Sequence, residues 1–355
     1  MCAERFRDFQ PTSRGVLNKE LTRQRQNREW LGEGSVDCQQ YVIRHFMQTR
    51  KQFFASRVPG KKPKREFGKP KFKSRKKADP SLTYSKNGFR IRDGKLHLAK
   101  GIELRVVWSR DLPSEPTSVT VYRESDGKWY ASFVVRREEV VTSRDRDGHI
   151  GFDFGILTTA VATDPEYDLK FRSFIAEHER KTRNYQRRAA RYRKEKDEKR
   201  LRKAKRDHAR EQKKLRRRRQ ERLRAFAQKV ARNHDKVAIE DLKPNFMAKT
   251  RLAKKMYDAS IATLKRELEL ACKKYGTELI LVPPAYTTMD CSYCGARAKS
   301  RIPLSERTYR CSQCGVACDR DRNAARNVAL RAGLYPDSMK ATVEGHCSSV
   351  PSRQF

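Results

Sequence analysis

Apolar residues follow three rhythms along this 355-residue chain, and each change of rhythm marks a change of architecture. Up to residue 57 they recur at helical spacing, through Val16, Leu17, Leu21, Trp30 and Leu31, then Tyr41, Val42, Phe46, Phe53 and Phe54. That spacing predicts a small helical lobe over 1–57. From 82 to 140 the period falls to two. Leu96–Leu98, Ile102–Trp108, Ser118–Tyr122 and Trp129–Val135 read as strands, with hairpin signals at Asp93-Gly94 and Asp126-Gly127. A small antiparallel β-barrel or curled sheet is the expected result. At 149 the pattern changes again. His149–Gly155 is an apolar strand with an Asp inside it, and Leu157–Ala162 is a second strand. Between Pro165 and Pro244 there is neither Gly nor Pro; Arg, Lys, Glu and Gln, good helix formers, dominate, with a thin stripe of Leu215, Leu223, Phe226 and Val230. One straight helix there would reach ~90 Å, so two long helices in a hairpin are predicted. Lys236–Leu242 is a strand ending in two carboxylates. A helix follows from about Leu252 to Tyr275, stopped at Gly276. Glu278–Pro283 is another strand, and Asn323–Arg331 a last helix. From 149 onward this is a mixed α/β core.

Charge narrows the partners. Lys and Arg number 83 against 43 Asp and Glu, a formal net charge of +40. Such a surplus repels itself in a compact state and calls for an anionic partner, nucleic acid first. No long apolar run or signal peptide points to a membrane. The charge is concentrated in two places. The stretch 58–80 interleaves basic residues with Phe67, Phe72, Pro59, Pro63 and Pro70, suiting a linker that touches phosphates and bases. Lys213–Arg219 lies on the predicted helical hairpin, as a solvated charged face or as one that lies along a nucleic-acid backbone, the second suiting the overall charge better.

The nine cysteines include two Cys-x2-Cys turns, Cys291/Cys294 and Cys311/Cys314, separated by sixteen residues. Four thiolates so spaced are the tetrahedral set of a structural zinc, closed to catalysis. Cys318 is a spare candidate ligand. The sharper chemistry lies in carboxylates at element edges: Asp153 on the first core strand, Glu240 at the end of a later one, Asp319 and Asp321 opening the last helix. Oxygen ligands from several sides are what a two-metal phosphodiester hydrolase requires. Asp153 could equally be a strand-end turn residue, and Asp319 or Asp321 a helix cap. On the residues alone, a metal-dependent nuclease and a zinc-bearing nucleic-acid-binding protein without enzymatic role both stay open.

A set of motifs goes further. Gly151-Phe-Asp-Phe-Gly155, Ala238-Ile-Glu-Asp-Leu242, Val282-Pro-Pro-Ala-Tyr-Thr287, both cysteine turns and Asp319-Arg-Asp-Arg-Asn-Ala-Ala-Arg-Asn327 closely resemble TnpB, the family of transposon-encoded RNA-guided DNA nucleases related to type V CRISPR effectors. Thr287-Thr288-Met289 stands where that family often has Thr-Ser-Gln. The resemblance implies a multidomain α/β protein. Its parts would be a helical recognition lobe (1–57), a basic linker (58–80), a wedge-type β-barrel (81–145) and an RNase H-like, RuvC-type nuclease core (146–288). An inserted zinc ribbon (289–317), the final core helix (318–332) and a tail with few structural cues (333–355) would complete it. The acidic triad would be Asp153, Glu240 and Asp321, the last chosen because the family's third Asp lies two residues before an Asn, here Asn323. These would hold Mg²⁺ or Mn²⁺, and Cys291, Cys294, Cys311 and Cys314 a structural Zn²⁺. The implied partners are a guide RNA and target double-stranded DNA with a short adjacent motif, in the cytoplasm of a prokaryotic cell at its nucleoid. A compact type V CRISPR effector and a guided DNA-binding repressor that does not cleave are the alternatives.

Overall fold

Two units divide the chain, Met1–Glu138 and Glu139–Phe355. The computed structural model describes residues 13–57, 67–71, 79–136, 148–242, 257–300, 302–303 and 305–335. Most of the basic linker at 58–80 and nearly all of the tail at 333–355 lie outside the described residues.

The first unit opens with helices α1 (Arg14–Asn27), α2 (Glu29–Glu33) and α3 (Val36–Ala55). Ser13 caps α1, accepting a hydrogen bond from the Val16 amide. Leu17, Leu21 and Ile43 form a narrow seam with Leu31, Phe46 and Met47. Trp30, Val42 and Phe54, read from spacing as part of the apolar stripe, are 66%, 65% and 50% exposed. The seam is one residue wide, and the single turn of α2 directs only Leu31 into it.

Six strands follow: β1 (Ser81–Ser85), β2 (Phe89–Arg92), β3 (Lys95–Leu98), β4 (Ile102–Arg105), β5 (Ser118–Arg123) and β6 (Trp129–Val134). Asp93 and Gly94 both take positive φ, 51° and 70°, the two-residue hairpin turn their sequence predicts. The expected barrel does not form among the described residues. There are two three-stranded antiparallel sheets, β1-β5-β6 and β2-β3-β4, over one shared core of Tyr84, Phe89, Leu96, Leu98, Val119 and Val121. The reason lies between β4 and β5. The strand predicted to run to Trp108 ends at Arg105, Val107 is 96% exposed, and Pro113 and Pro116 cannot donate to a ladder that would join the sheets.

The second unit is built on one mixed sheet. Its strands are β7 (His149–Asp153), β8 (Thr158–Ala162), β9 (Leu169–Lys170), β10 (Lys236–Glu240) and β11 (Glu278–Val282), in the order β11-β10-β7-β8-β9. β7, β10 and β11 run parallel; β8 pairs antiparallel with β7, and β9 antiparallel with β8. Helices α4 (Phe174–Lys194) and α5 (Glu198–Asn233) form the hairpin that the Gly- and Pro-free stretch predicts, and Asp197 caps α5. Helix α6 runs Ile261–Tyr275 and ends at Gly276, φ 69°. The earlier start predicted near Leu252 falls within 243–256, outside the described residues.

The alternation along the strands decides which face each side chain serves. Ile150, Phe152, Val237 and Ile239 pack on one side with Leu223 and Val230 of α5 and Leu264 and Leu268 of α6. Ala238 and Val282 face the other side, where they meet Val328 and Ala329 of α7 (Arg320–Arg331). Between β11 and α7 sits a small hairpin of β12 (Thr308–Arg310) and β13 (Ala317–Asp319). No helix among the described residues is long and apolar enough to cross a membrane.

Candidate active site and metal centre

Period two carries two carboxylates to the α7 side of the sheet. Asp153 lies two residues beyond Gly151, and Glu240 two beyond Ala238. The register pairs Ala238 with Gly151 and Ile239 with Phe152, so both carboxylates emerge side by side at neighbouring strand ends. Helix α7 brings the third. It can do so because it lies unusually close to β7. A Cβ on Gly151 would stand 2.7 Å from the Ala325 carbonyl oxygen and 2.8 Å from the Ala329 methyl. The run of small residues in Asn-Ala-Ala-Arg-Asn and the missing side chain at 151 are one packing device.

The two acidic candidates at the start of α7 part company. Asp319 is the N-cap, its carboxylate accepting from the Arg322 amide at 2.8 Å. Asp321 sits in the first turn and is within electrostatic reach of Asp153. Arg307 donates to it at 3.1 Å. Asp153 is 8% exposed; burial first, then the negative charges of Glu240 and Asp321, hold its carboxyl well above the usual range, with Arg320 partly opposing. Burial also raises Glu240, against the Thr287 hydroxyl and the charge of Arg331. That hydroxyl donates to Glu240 Oε1 at 2.5 Å. Hard oxygen donors whose mutual repulsion is only partly offset are a donor set that fits a divalent cation such as Mg²⁺ or Mn²⁺.

The cysteine turns are near copies. In each, the first Cys amide donates to the residue five positions on (Ala296, Val316), and the Gly after the second Cys donates back to the first Cys carbonyl. Gly295 and Gly315 close these turns at φ 77° and 72°, where a side chain would be strained. Their four sulfurs lie within 4.8 Å of one another, with Cys291 to Cys314 at 3.8 Å and Cys294 to Cys311 at 3.6 Å. Four sulfurs at zinc–thiolate bond length from a common centre stand ~3.8 Å apart, so the set fits tetrahedral zinc. Cys318 lies on β13, outside the cluster.

Sequence reading missed the residues that tie these parts together. Asn323 and Asn327 are buried on one face of α7. Asn323 accepts from the Ser292 amide at 2.9 Å and donates to the Asp290 carbonyl at 2.8 Å; Asn327 donates to the Thr287 carbonyl at 2.9 Å. Arg322 forms a two-pronged pair with Asp168 at 2.9 and 2.7 Å, fastening the start of α7 to the β8–β9 edge. The Asn-x3-Asn spacing was a usable signal for the first pair. Thr287 closes a family motif, but nothing in the sequence ties it to Glu240, and nothing local marks Asp168.

Comparison with known proteins identifies the family. The OrfB_IS605 family model ("Probable transposase") matches residues 132–251, and the Cas12f1-like TNB domain matches 262–328. A protein of Streptomyces pristinaespiralis named as an RNA-guided DNA endonuclease is 33% identical over 316 residues, covering 86% of this chain and 73% of that one. InsQ of Escherichia coli K12, named likewise, is 27% identical over 92% of this chain and 88% of its own. A Cas12f1–sgRNA–target DNA complex solved by cryo-EM aligns with TM-score 0.47 and 15% identity, over 71% of this chain and 59% of that one. With a third of its aligned residues shared across most of both sequences, the chain belongs to the TnpB family of RNA-guided DNA endonucleases.

Proposed function

We propose that this protein binds a structured guide RNA and cleaves complementary double-stranded DNA at Asp153, Glu240 and Asp321, with an RNase H-like, RuvC-type core doing the chemistry. The observation that carries this is the convergence of three carboxylates, from the ends of the neighbouring interior strands β7 and β10 and from the first turn of α7. The strand order, with three parallel strands and an antiparallel return, supports the RNase H-like assignment. When bound there, Mg²⁺ or Mn²⁺ supplies Lewis-acid charge to the attacking and leaving oxygens of the phosphodiester. The chain's own part is to hold the ligands. Thr287 orients Glu240, Arg322 and Asn327 fix α7, and burial keeps water from screening the cluster. Cys291, Cys294, Cys311 and Cys314 would hold a structural zinc, making the insertion a zinc ribbon. Basic residues on its loop, Arg297 and Arg307 among them, lie against the acidic cluster or the turn leading from it.

All three acidic positions are filled, which favours cleavage over guided repression. The wild-type protein purified with its co-bound RNA should cut a matched DNA in Mg²⁺. Asp153→Ala should abolish cutting and leave guided binding within a few-fold. Full cleavage by Asp153→Ala, or absence of any discrete co-purifying RNA, would overturn the proposal.

A further inference from the structure

Tyr286 follows the strand that ends at Val282 and has no part in the carboxylate cluster, yet its backbone is held in a conformation tyrosine disfavours. Its φ is +63°, in the left-handed region where a side chain is strained. Its carbonyl accepts both the Met289 and Asp290 amides at 3.0 Å, which locks the turn. Glycine would satisfy that backbone without strain. The ring is 51% exposed. Arg297 lies over it, guanidinium carbon 4.0 Å from the ring centroid. Arg297 is itself anchored on Asp290 at 2.7 Å, and Asp290 receives Arg331 at 2.6 Å. The next residue, Thr287, touches Glu240.

A lone exposed tyrosine is commonplace. An aromatic held against its own backbone preference, backed by a fixed guanidinium and next in sequence to the threonine that bonds Glu240, is not. We infer that Tyr286 is a stacking platform for an unpaired nucleobase of the DNA strand presented to the carboxylates. This rests on the nuclease reading and adds a residue to it. Every base offers a π face, so the contact accepts any sequence. The cation behind the ring fixes it and attracts the neighbouring phosphate. Because the face takes an unpaired base, the strand at the site is single-stranded, and stacking sets which phosphate lies at the carboxylates.

The test uses the full-length protein with its co-purified RNA and a matched DNA target. Tyr286→Ala and Tyr286→Gly should lower single-turnover kcat/KM about tenfold, the scale of one lost stack, while Tyr286→Phe stays within twofold. Tyr286→Gly should melt no lower than the wild type, which separates loss of stacking from loss of fold. Moving one abasic nucleotide through the cut region should find a position that costs the wild type about as much and Tyr286→Ala nothing further. Additive losses at every position, or wild-type cleavage by Tyr286→Ala, would overturn the inference. To keep it separate from the nuclease reading, 2-aminopurine placed along the same stretch is read in the uncut Asp153→Ala complex. Its fluorescence should be quenched there and bright when Tyr286→Ala is added; equal brightness in both at every position would refute stacking whatever the cleavage result.

Discussion

Gly151→Ala tests whether the close approach of α7 sets the geometry of the carboxylates. The new methyl would stand 2.7 Å from the Ala325 oxygen, 2.8 Å from the Ala329 methyl and 2.9 Å from the Ala329 nitrogen. Ordinary contacts between such atoms are ~3.5–4.0 Å. Two of the three are backbone, so no side chain can swing aside and α7 must retreat by roughly 1 Å. Overpacking of this kind costs about 1–3 kcal/mol. Replacing Gly in a strand would otherwise gain ~0.5 kcal/mol from the unfolded chain, which is too little to offset it. In a unit of this size the net loss lowers the melting temperature by about 2–10 °C. Function should suffer more than stability. Asp321 rides on the first turn of α7, while Asp153 and Glu240 are fixed to strands. A shift of ~1 Å between reacting groups costs on the order of 100-fold in rate. Single-turnover cleavage at a temperature where the variant is fully folded, set beside guided DNA binding, separates the effects. A melting temperature lowered as stated with cleavage within twofold of wild type would refute the coupling of α7 position to catalysis.

Thr287→Val removes the hydroxyl that opposes burial at Glu240, a bond to a charged group worth about 1.5–3 kcal/mol. Cleavage at limiting Mn²⁺ should fall tenfold or more, and Thr287→Ser should restore it. Because that hydroxyl lowers the Glu240 pKa, its loss raises it further, and the acid limb of the pH–rate profile should move to higher pH. Cys311→Ser should impair cleavage through misplacement of the ribbon, with Mn²⁺ titration at the carboxylates largely preserved. Burial holds His234 below the ordinary histidine value, its ring against the Val230 carbonyl. The unfolded chain therefore binds more protons below about pH 6.5. Urea-unfolding stability should decline as pH falls from there toward the folded pKa, and His234→Gln should flatten that decline.

What was legible from sequence was whatever repeats locally. Each Cys-x2-Cys-Gly turn closes on itself within six residues, so spacing alone revealed it. The helices α4 and α5 could be read because nothing between Pro165 and Pro244 breaks them. Strand pairing is not local. Four of the six strands of the first unit were visible, yet whether β4 joins β5 depended on the path of Val106–Thr117, where period two ends. The same limit hid the supports of the site. Arg322 and Asp168 lie 154 positions apart and look like two more charges in a charged chain. Thr287 stood in a family motif, but its bond to Glu240 spans 47 positions. Asp319 and Asp321 both suit the start of a helix; the motif spacing singled out Asp321, and the cap geometry shows Asp319 engaged with an amide.

The distribution of arginine explains how a chain of net charge +40 can keep an acidic cluster unneutralised. A guanidinium placed on Asp153 would be easy to supply and would remove the repulsion that raises its pKa. Among the described residues the nearby arginines are engaged elsewhere. Arg322 holds Asp168, Arg331 holds Asp290, and Arg320 donates to the Pro303 and Glu306 carbonyls. Each of these bonds fastens something that carries or borders a carboxylate: the start of α7, the turn after Thr287, the base of the ribbon hairpin. Arg307 does reach Asp321, but from the ribbon loop, whose position depends on the cysteine cluster. The buried carboxylates are therefore held by neutral contacts, a threonine hydroxyl and backbone, and the cations hold the frame. In the proposed metal site that division matters: an arginine bound to Asp153 or Glu240 would occupy the carboxylate oxygens that a divalent cation would need.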